Sequence, residues 1–177
     1  MILETERLIL RRFQKRDLDD LFAYLSDYEV VRFEPYKPMN YEETVKELLL
    51  RISSEEMIAV EEKSTGRLIG NLYLGKRENN ALELGYVFNR NFWGQGYAME
   101  SCSAVIALAF SKGIRRIYAE CDPENQASWH LLERLGFERE KHLKKNVYFG
   151  TDAAGQPIWK DTYIYGLCST NSATVII

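Results

Sequence analysis

One segment in the middle of the chain restricts the fold most, because it joins a strand pattern to a helix pattern through glycines. Residues 81–88 alternate between apolar and polar side chains, as a strand does. Apolar side chains then recur at helical spacing over 98–110, and Gly113 is placed to end that helix. Gly94 and Gly96 lie in the connection. A strand that passes directly into a long helix predicts helices packed on a sheet.

The other periodicities complete one domain of about seven strands and four helices. Strands are predicted at 7–13, as an edge strand, and at 57–61, 67–74, 81–88, 114–121, 144–149 and 159–167. Helices are predicted from Asp17 to Leu25 and at 41–52, 98–110 and 126–135. Turn residues between the three middle strands indicate an antiparallel meander. We expect an α/β (α+β) fold with a central mixed, mostly antiparallel sheet over residues 1–168, and a frayed tail over 169–177.

Charge and hydropathy exclude several classes of function. The net charge of −3 argues against a general nucleic-acid binder, whose affinity depends on a basic surface that neutralises phosphates. No run reaches the ~20 apolar residues that a membrane helix needs. The opening residues, MILETE, carry acids where a secretory signal carries positive charge. We therefore expect a cytoplasmic protein with no nucleic-acid partner and no membrane partner.

The cysteines and histidines give no support to a metal centre. Cys102, Cys121 and Cys168 are far apart and odd in number, so they predict neither a disulfide framework nor a zinc site. They are typical of reduced thiols in a cytosolic fold. His130 and His142 stand outside any short-spaced cluster of ligands. We expect no metal.

The glycine-containing connection is suited to an anion. Gly94, Gly96 and Ala98 remove side-chain bulk, so backbone N–H groups at the helix start can approach a phosphate or pyrophosphate closely. One alternative is that the glycines only shape a tight turn. Another is a dinucleotide fingerprint with Glu120 as the ribose-binding acid. Against that alternative, Met99 occupies the third glycine position, and too few residues follow for the further parallel strands.

Four short motifs occur in the order in which one known superfamily shows them. They are 83–87 (ELGYV), 93–98 (WGQGYA), Asn125-x-x-Ser128 and 135–137 (LGF). Together they resemble the GNAT N-acetyltransferase superfamily. The opening 5–11 (TERLILR) and the WGxGYA form are most similar to its branch of ribosomal-protein alanine/serine N-acetyltransferases. The resemblance extends from Thr5 to about Leu167 and implies the GNAT fold and acetyl-CoA as cosubstrate.

The resemblance implies specific roles in holding coenzyme A. Its pyrophosphate would lie on the backbone amides of five consecutive residues, namely Gly94, Gln95, Gly96, Tyr97 and Ala98. The superfamily usually begins this turn with Gln or Arg, whereas this chain has Trp93, which removes one polar side chain from the site. Asn125 matches an asparagine that contacts the cofactor.

The end of the strand before the turn also receives a role from the resemblance. Val87 and Phe88 would end a strand that splays from its neighbour, which leaves main-chain groups for the pantetheine arm. The Val87 N–H is our candidate donor to the thioester carbonyl, where an oxyanion develops.

Proton transfer needs a base and an acid. An α-amine has a pKa of ~8, so a base must accept its proton near neutral pH. Glu83 is the leading candidate for the base, because strand periodicity turns it to the same face as Val87. It can equally be a solvated strand residue. Glu61 and Glu62 are alternative bases. For the acid, the tyrosine of many members is replaced by Leu132. Ser128 is the substitute that the branch suggests, and a helix cap is its competing role.

The acceptor is the least determined part of the prediction. The loop at 32–39 and the tail strands at 148–163 would form its side of the site. Branch similarity favours a protein or peptide N-terminus, while a small amine such as an antibiotic, polyamine or amino acid stays open, as does a noncatalytic acyl-CoA sensor. Direct transfer is simpler than an acyl-enzyme on Cys121, because no histidine is placed beside that cysteine. A homodimer is compatible with the resemblance.

Overall fold

The structure is a computed structural model that describes residues 3–169. Within that range, eight strands form one sheet and five α-helices pack on it. The strands are β1 (Leu3–Glu4), β2 (Leu8–Arg11), β3 (Met57–Glu62), β4 (Leu68–Arg77), β5 (Ala81–Phe88), β6 (Arg116–Cys121), β7 (Glu138–Thr151) and β8 (Pro157–Cys168). The helices are α1 (Leu18–Leu25), α2 (Tyr28–Val31), α3 (Tyr41–Ser53), α4 (Tyr97–Ser111) and α5 (Gln126–Arg134).

The sheet is mixed and mostly antiparallel, as predicted. Its spatial order is β1-β2-β3-β4-β5-β6-β8-β7. Strands β1 to β5 form an antiparallel meander, and β6, β8 and β7 form a second antiparallel ladder. Between them, β5 and β6 make the one parallel pair found within residues 3–169. A single parallel pair does not build the doubly wound sheet that a dinucleotide site requires.

The structure differs from the prediction at the two ends of the sheet. β2 is not an edge strand, because the two residues of β1 pair outside it. The last hairpin is longer than predicted, since β7 already begins at Glu138 rather than near residue 144. Nearly every side chain of β7 is exposed, so this strand shows no alternation for a sequence pattern to detect. The four-residue α2 was also missed, and the predicted tail falls outside the described residues from 170 onward.

Two apolar clusters hold the helices on opposite faces of the sheet. The α4 and α5 cluster contains one stripe of α4, represented by Cys102, Val105 and Ile106, packed against strand residues such as Ile117. The α1 to α3 cluster includes Leu21, Tyr24, Leu25, Leu48, Ala59, Leu68 and Val87. The same strands therefore bury alternate side chains in two different layers, as strand periodicity requires. No helix within residues 3–169 is long and apolar enough to cross a membrane.

A buried ion network joins β2, β3 and the approach to α1. Arg11 bonds Asp17 and Glu61 at 2.7 Å each, and all three side chains are buried. Asp17 was predicted to start a helix, and α1 does begin at the next residue. Its carboxylate makes no capping bond to α1, however, but accepts hydrogen bonds from Arg11 and from the Gln14 N–H. The Glu61 carboxylate is equally committed, so it is not available as a catalytic base.

Candidate active site

A groove opens where β5 and β6 diverge. The two strands pair only over Ala81–Glu83 and Arg116–Tyr118, although β5 continues to Phe88 and β6 to Cys121. The groove beside the end of β5 has a volume of about 1230 Å³. The end of β5, the start of α4, the start of α5 and the segment 29–34 form its walls. The predicted splay is therefore present, and the groove lies beside it.

Most of the predicted site residues line this groove. They are Val87, Phe88, Trp93, Gly94, Gly96, Tyr97, Ala98, Asn125 and Ser128. Gln95 does not line the groove; its carbonyl oxygen accepts a hydrogen bond from Arg7 and its side chain donates to the Asn91 carbonyl. Glu83 does not line it either.

The glycine turn sets the entrance to α4. Gly94 and Gly96 have φ of 72° and 83°, in the left-handed region that favours glycine. Gly96 is the residue immediately before the helix, and Tyr97 is its first residue. The first N–H groups of a helix lack partners within it and carry partial positive charge. Because this helix end forms a wall of the groove, it suits the pyrophosphate of coenzyme A.

The connection between β1 and β2 holds this turn from outside. Arg7 donates to the Gln95 carbonyl oxygen at 2.9 Å and to the Glu100 carboxylate at 2.7 Å. Glu100 also accepts hydrogen bonds from the Arg7 N–H and the Thr5 hydroxyl. Glu100 is therefore a structural residue of the turn. The sequence did not reveal this contact, because about ninety positions separate its partners.

Trp93 has a structural role that accounts for the departure from the superfamily pattern. Its indole N–H donates to the carbonyl oxygen of Phe88 at 2.8 Å, although about half of the side chain is exposed. The turn is thus fastened to the last residue of β5. A Gln or Arg at this position would instead offer a polar side chain to the ligand.

The hydrogen-bond register decides which main-chain groups face the groove. Asn89 donates its N–H to the Ile69 carbonyl oxygen of β4 at 2.9 Å. The β4–β5 register is continuous, so Val87 also directs its N–H toward β4. Tyr86 and Phe88 direct theirs to the open side. The Val87 N–H, the predicted oxyanion donor, therefore points away from the groove, and the N–H groups of its two neighbours point toward it, while the Val87 side chain lines the groove.

Tyr86 meets the start of α5 across the groove. Its hydroxyl donates to the Ser128 carbonyl oxygen at 3.0 Å and lies 2.9 Å from the Ser128 hydroxyl. Burial raises the pKa of the Tyr86 hydroxyl well above its ordinary value, so this group stays protonated. Asn125 caps α5 by accepting the Ser128 N–H at 3.2 Å. Sequence reasoning found Ser128 and Asn125 but missed Tyr86, which strand alternation places on the same face as Leu84.

The structure does not bring Glu83 to Ser128. Glu83 forms an ion pair with Arg77 and accepts a hydrogen bond from the Tyr118 hydroxyl at 3.3 Å. It lies on the α1 to α3 face, four residues before Val87, a distance of roughly 13 Å along a strand. Glu62, another candidate base, accepts a hydrogen bond from the Tyr97 hydroxyl at the outside of the turn.

A different carboxyl group lies in the groove. Glu34 follows α2, is partly buried, and lines the same space as Tyr86 and Val87. Burial raises its pKa to about 7, against the charge of Arg51 and a hydrogen bond with Tyr36 that both act to lower it. Arg51 itself is buried and bonded to Glu47 and Asn71. The sequence predicted a substrate-side loop at 32–39 but did not single out this residue.

Residues 3–169 contain no group of three or more His, Cys, Asp or Glu side chains arranged to hold a metal ion. Cys121 is buried at the end of β6, and burial raises its pKa to about 12, which disfavours the thiolate that a nucleophile needs.

Comparison with known proteins agrees with this geometry. Residues 7–138 match the family described as acetyltransferase (GNAT) domain. The chain is 30% identical over 174 residues to an uncharacterized N-acetyltransferase, YnaD, of Bacillus subtilis (strain 168). The match covers 94% of this chain and 96% of that protein. A solved GNAT acetyltransferase from Bacillus anthracis has a TM-score of 0.86 at 28% identity, covering 95% of this chain and 98% of that chain.

A solved structure with coenzyme A has the same fold. The protein is described as RimL, a ribosomal L7/L12 alpha-N-protein acetyltransferase in complex with coenzyme A. It has a TM-score of 0.79 at 23% identity, and the match covers 95% of this chain and 98% of that chain. The splayed strands, the glycine turn and the family match together lead to one conclusion: the chain belongs to the GNAT family and is an acetyl-CoA-dependent N-acetyltransferase.

Proposed function

We propose that this enzyme transfers the acetyl group directly from acetyl-CoA to the primary amine of a protein or peptide N-terminus. The observation that carries the proposal is the groove itself, which runs from the glycine turn, between the splayed strands, to the segment 29–34. Two substrates can therefore meet in it from opposite ends. The fold shared with the L7/L12 alpha-N-protein acetyltransferase supports an N-terminal acceptor.

The cosubstrate end of the groove has main-chain donors and small residues. We propose that the amides of Gly94, Gln95, Gly96, Tyr97 and Ala98 hold the pyrophosphate. Trp93, Val87 and Phe88 would flank the pantetheine arm, with Asn125 at the start of α5 on the opposite wall. The N–H group of either Tyr86 or Phe88 would donate to the carbonyl oxygen as negative charge develops on it, since the two groups are about 7 Å apart along the strand.

The bound thioester supplies an activated carbonyl carbon, and the chain supplies proton transfer. Ser128, with Tyr86 bonded to it, is the proposed acid that returns a proton to the departing sulfur. Both hydroxyls stay protonated near neutral pH, which suits a donor. The role of Glu83 as the base stays a prediction, and its ion pair with Arg77 counts against it.

The acceptor side has the features of a surface for a chain terminus. The β7–β8 hairpin presents exposed Tyr148, Phe149 and Trp159. Phe149 lines a small cavity together with Glu34, Tyr36 and other residues that follow α2. An apolar surface beside the mouth of the groove can hold the residues that follow a reactive N-terminus, whereas a small amine has no such residues to place there.

The test is an acetyl-CoA assay with free thiol as the readout. Short peptides beginning with Ala or Ser are compared with polyamines, amino acids and aminoglycosides at equal concentration. We expect the highest kcat/KM with the peptides. A higher value with a small amine would replace the proposed acceptor, and coenzyme A binding without turnover of any amine would favour a noncatalytic sensor.

A further inference from the structure

We infer that Glu34 is the carboxylate that accepts the proton of the acceptor ammonium and that it positions the amine for attack. This inference rests on the proposed function and assigns the base of the same site to a residue outside the family motifs quoted above. The strand carboxylate that the motifs favour, Glu83, lies elsewhere.

The location of Glu34 is the first argument. It lines the same groove as Val87 and Tyr86, which lie near the end of β5. The pKa of the Tyr86 hydroxyl is raised mainly by burial, and the Glu34 carboxylate is among the charges that raise it further. The carboxylate and the Tyr86–Ser128 pair therefore face one space. An amine between them has a proton acceptor on one side and the donor to sulfur on the other.

The other acids of the groove are already committed. Glu29 pairs with Arg32 at 3.1 Å, and Glu133 accepts a hydrogen bond from Tyr165 at 3.0 Å. Glu124 is 77% exposed and lies 3.7 Å from Lys160. Glu34 differs from these acids in two respects. Among the residues described, it has no lysine or arginine ion-pair partner within 4.0 Å, and it is partly buried rather than exposed to solvent.

The groups around Glu34 set its pKa in the range that a base needs near neutral pH. Its titratable and charged neighbours are Arg51 from α3, Tyr36 from its own loop and Tyr86 from β5, with Tyr24 of α1 and the cations Arg32 and Lys37 next to them. Burial outweighs Arg51 and Tyr36 and leaves the pKa at about 7. A carboxyl group with this pKa accepts a proton at neutral pH and releases it again to water.

The proton balance is complete without another reactant. The ammonium gives one proton to the Glu34 carboxylate, and the nitrogen lone pair then forms the C–N bond to the acetyl carbon. The C–S bond breaks and its electron pair goes to sulfur. Ser128, bonded to Tyr86, gives its proton to the sulfur, and the second proton of the nitrogen then passes to the Ser128 oxygen, which restores the hydroxyl. Glu34 finally returns its proton to solvent.

The experiment measures kcat against pH with a short Ala-initiated peptide for wild type, Glu34→Gln and Glu83→Gln. We expect an acid limb near the pKa of Glu34 in wild type and in Glu83→Gln. In Glu34→Gln the limb disappears and kcat falls by about 10²-fold or more. An amine whose own pKa lies well below 7 needs no base, so it should reduce the loss in Glu34→Gln by about tenfold or more.

Controls separate chemistry from folding. Glu78→Gln changes an exposed acid in the turn before β5 and should leave kcat unchanged. Thermal unfolding and coenzyme A affinity are measured for each variant. If Glu34→Gln does not fold, Glu34→Asp is used instead, and it should keep the acid limb at reduced kcat.

Three outcomes count against the inference in different ways. If Glu34→Gln keeps the limb and stays within about threefold of wild-type kcat, the inference is wrong although the proposed function stands. Loss of the limb in Glu83→Gln alone would assign the base to Glu83. If wild type acetylates no peptide, the proposed function fails first, and the inference fails with it.

Discussion

The backbone of Gly96 is held in a conformation that other residues adopt at a cost. Its φ is 83°, and an added Cβ would lie 3.4 Å from the flexible end of Arg7. Gly113, at the other end of α4, has a φ of 84° and open space around it. The two glycines therefore have nearly the same strain, but only Gly96 lies at the groove.

We predict that Gly96→Ala and Gly113→Ala destabilise the protein equally, by roughly 1 kcal/mol each. Only Gly96→Ala should weaken coenzyme A binding, by about tenfold, because the turn would no longer present its amides to the anion. Thermal unfolding and calorimetry with coenzyme A measure the two effects. Equal coenzyme A affinity in both variants would refute the role of the turn.

Ser128 takes part in two separate contacts. Its hydroxyl lies next to Tyr86, and its backbone N–H donates to Asn125. Its N–H is capped by Asn125, so Ser128→Ala leaves the cap in place and removes only the hydroxyl next to Tyr86. We predict a loss of kcat of about 10²-fold, with coenzyme A affinity nearly unchanged. Stopped-flow detection of the free thiol measures the loss of kcat. A change confined to KM would mean that Ser128 only binds substrate.

Glu100 makes the stability of the turn depend on pH. Burial alone would raise its pKa, but hydrogen bonds from Thr5 and Arg7 outweigh burial and lower it below the ordinary value of 4.5. A depressed carboxyl pKa contributes stability above the unfolded pKa and loses it as pH falls through the folded one. Glu100→Gln should cost about 1 kcal/mol at neutral pH.

The cost of Glu100→Gln should vanish in acid, where the wild-type carboxyl is protonated as well. Urea unfolding of both proteins at neutral pH and over a falling pH series that passes below the lowered pKa of Glu100 tests this. A difference that stays constant with pH would show that the ionised carboxylate is not what holds the turn.

At the scale of elements, local patterns predicted most of the chain. The positions of α3, α4, α5 and β3 to β6 followed from periodicity and from glycine or proline breaks, which act within a few residues. β1 and α2 are too short to show a period. The side chains that complete the site, Glu34 and Arg7, were missed because their partners are distant in sequence, and no local pattern encodes such contacts.

The network at the entry to α1 offers a matched test of burial. Arg11 and Arg16 both bond the same Glu61 oxygen at 2.7 Å, but Arg11 is 7% exposed and Arg16 is 56% exposed. Arg11→Met leaves Asp17 and Glu61 buried without their main partner and should cost about 3–5 kcal/mol. Arg16→Met should cost less than about 1 kcal/mol.

Chemical denaturation of the two variants gives the free energies of unfolding directly. Coenzyme A affinity of the folded fraction should be unchanged in both, since the network is remote from the groove. Equal destabilisation by the two substitutions would show that burial does not set the strength of this network.

At the scale of the whole molecule, the two faces of the sheet supply different parts of the candidate site. The α4 and α5 face supplies the turn and the Tyr86–Ser128 pair, and the α1 to α3 face supplies Arg51 and the loop with Glu34. The sequence motifs supplied most of the residues that line the groove at the glycine turn, the end of β5 and the start of α5. The acceptor side is assembled from segments that are far apart along the chain, and its contacts emerge only in the folded protein.

The separation of β5 from β6 has a mechanical consequence. Within the described residues, three residue pairs of β5 and β6 join the five-strand ladder to the three-strand ladder. A ligand in the groove contacts the end of β5 and the start of α5, the helix that follows β6, so it adds a connection between the two parts of the fold. Saturation at 100 times the dissociation constant adds about 2.7 kcal/mol to the stability of the loaded form. The loaded enzyme is therefore more resistant to unfolding than the enzyme that has released coenzyme A.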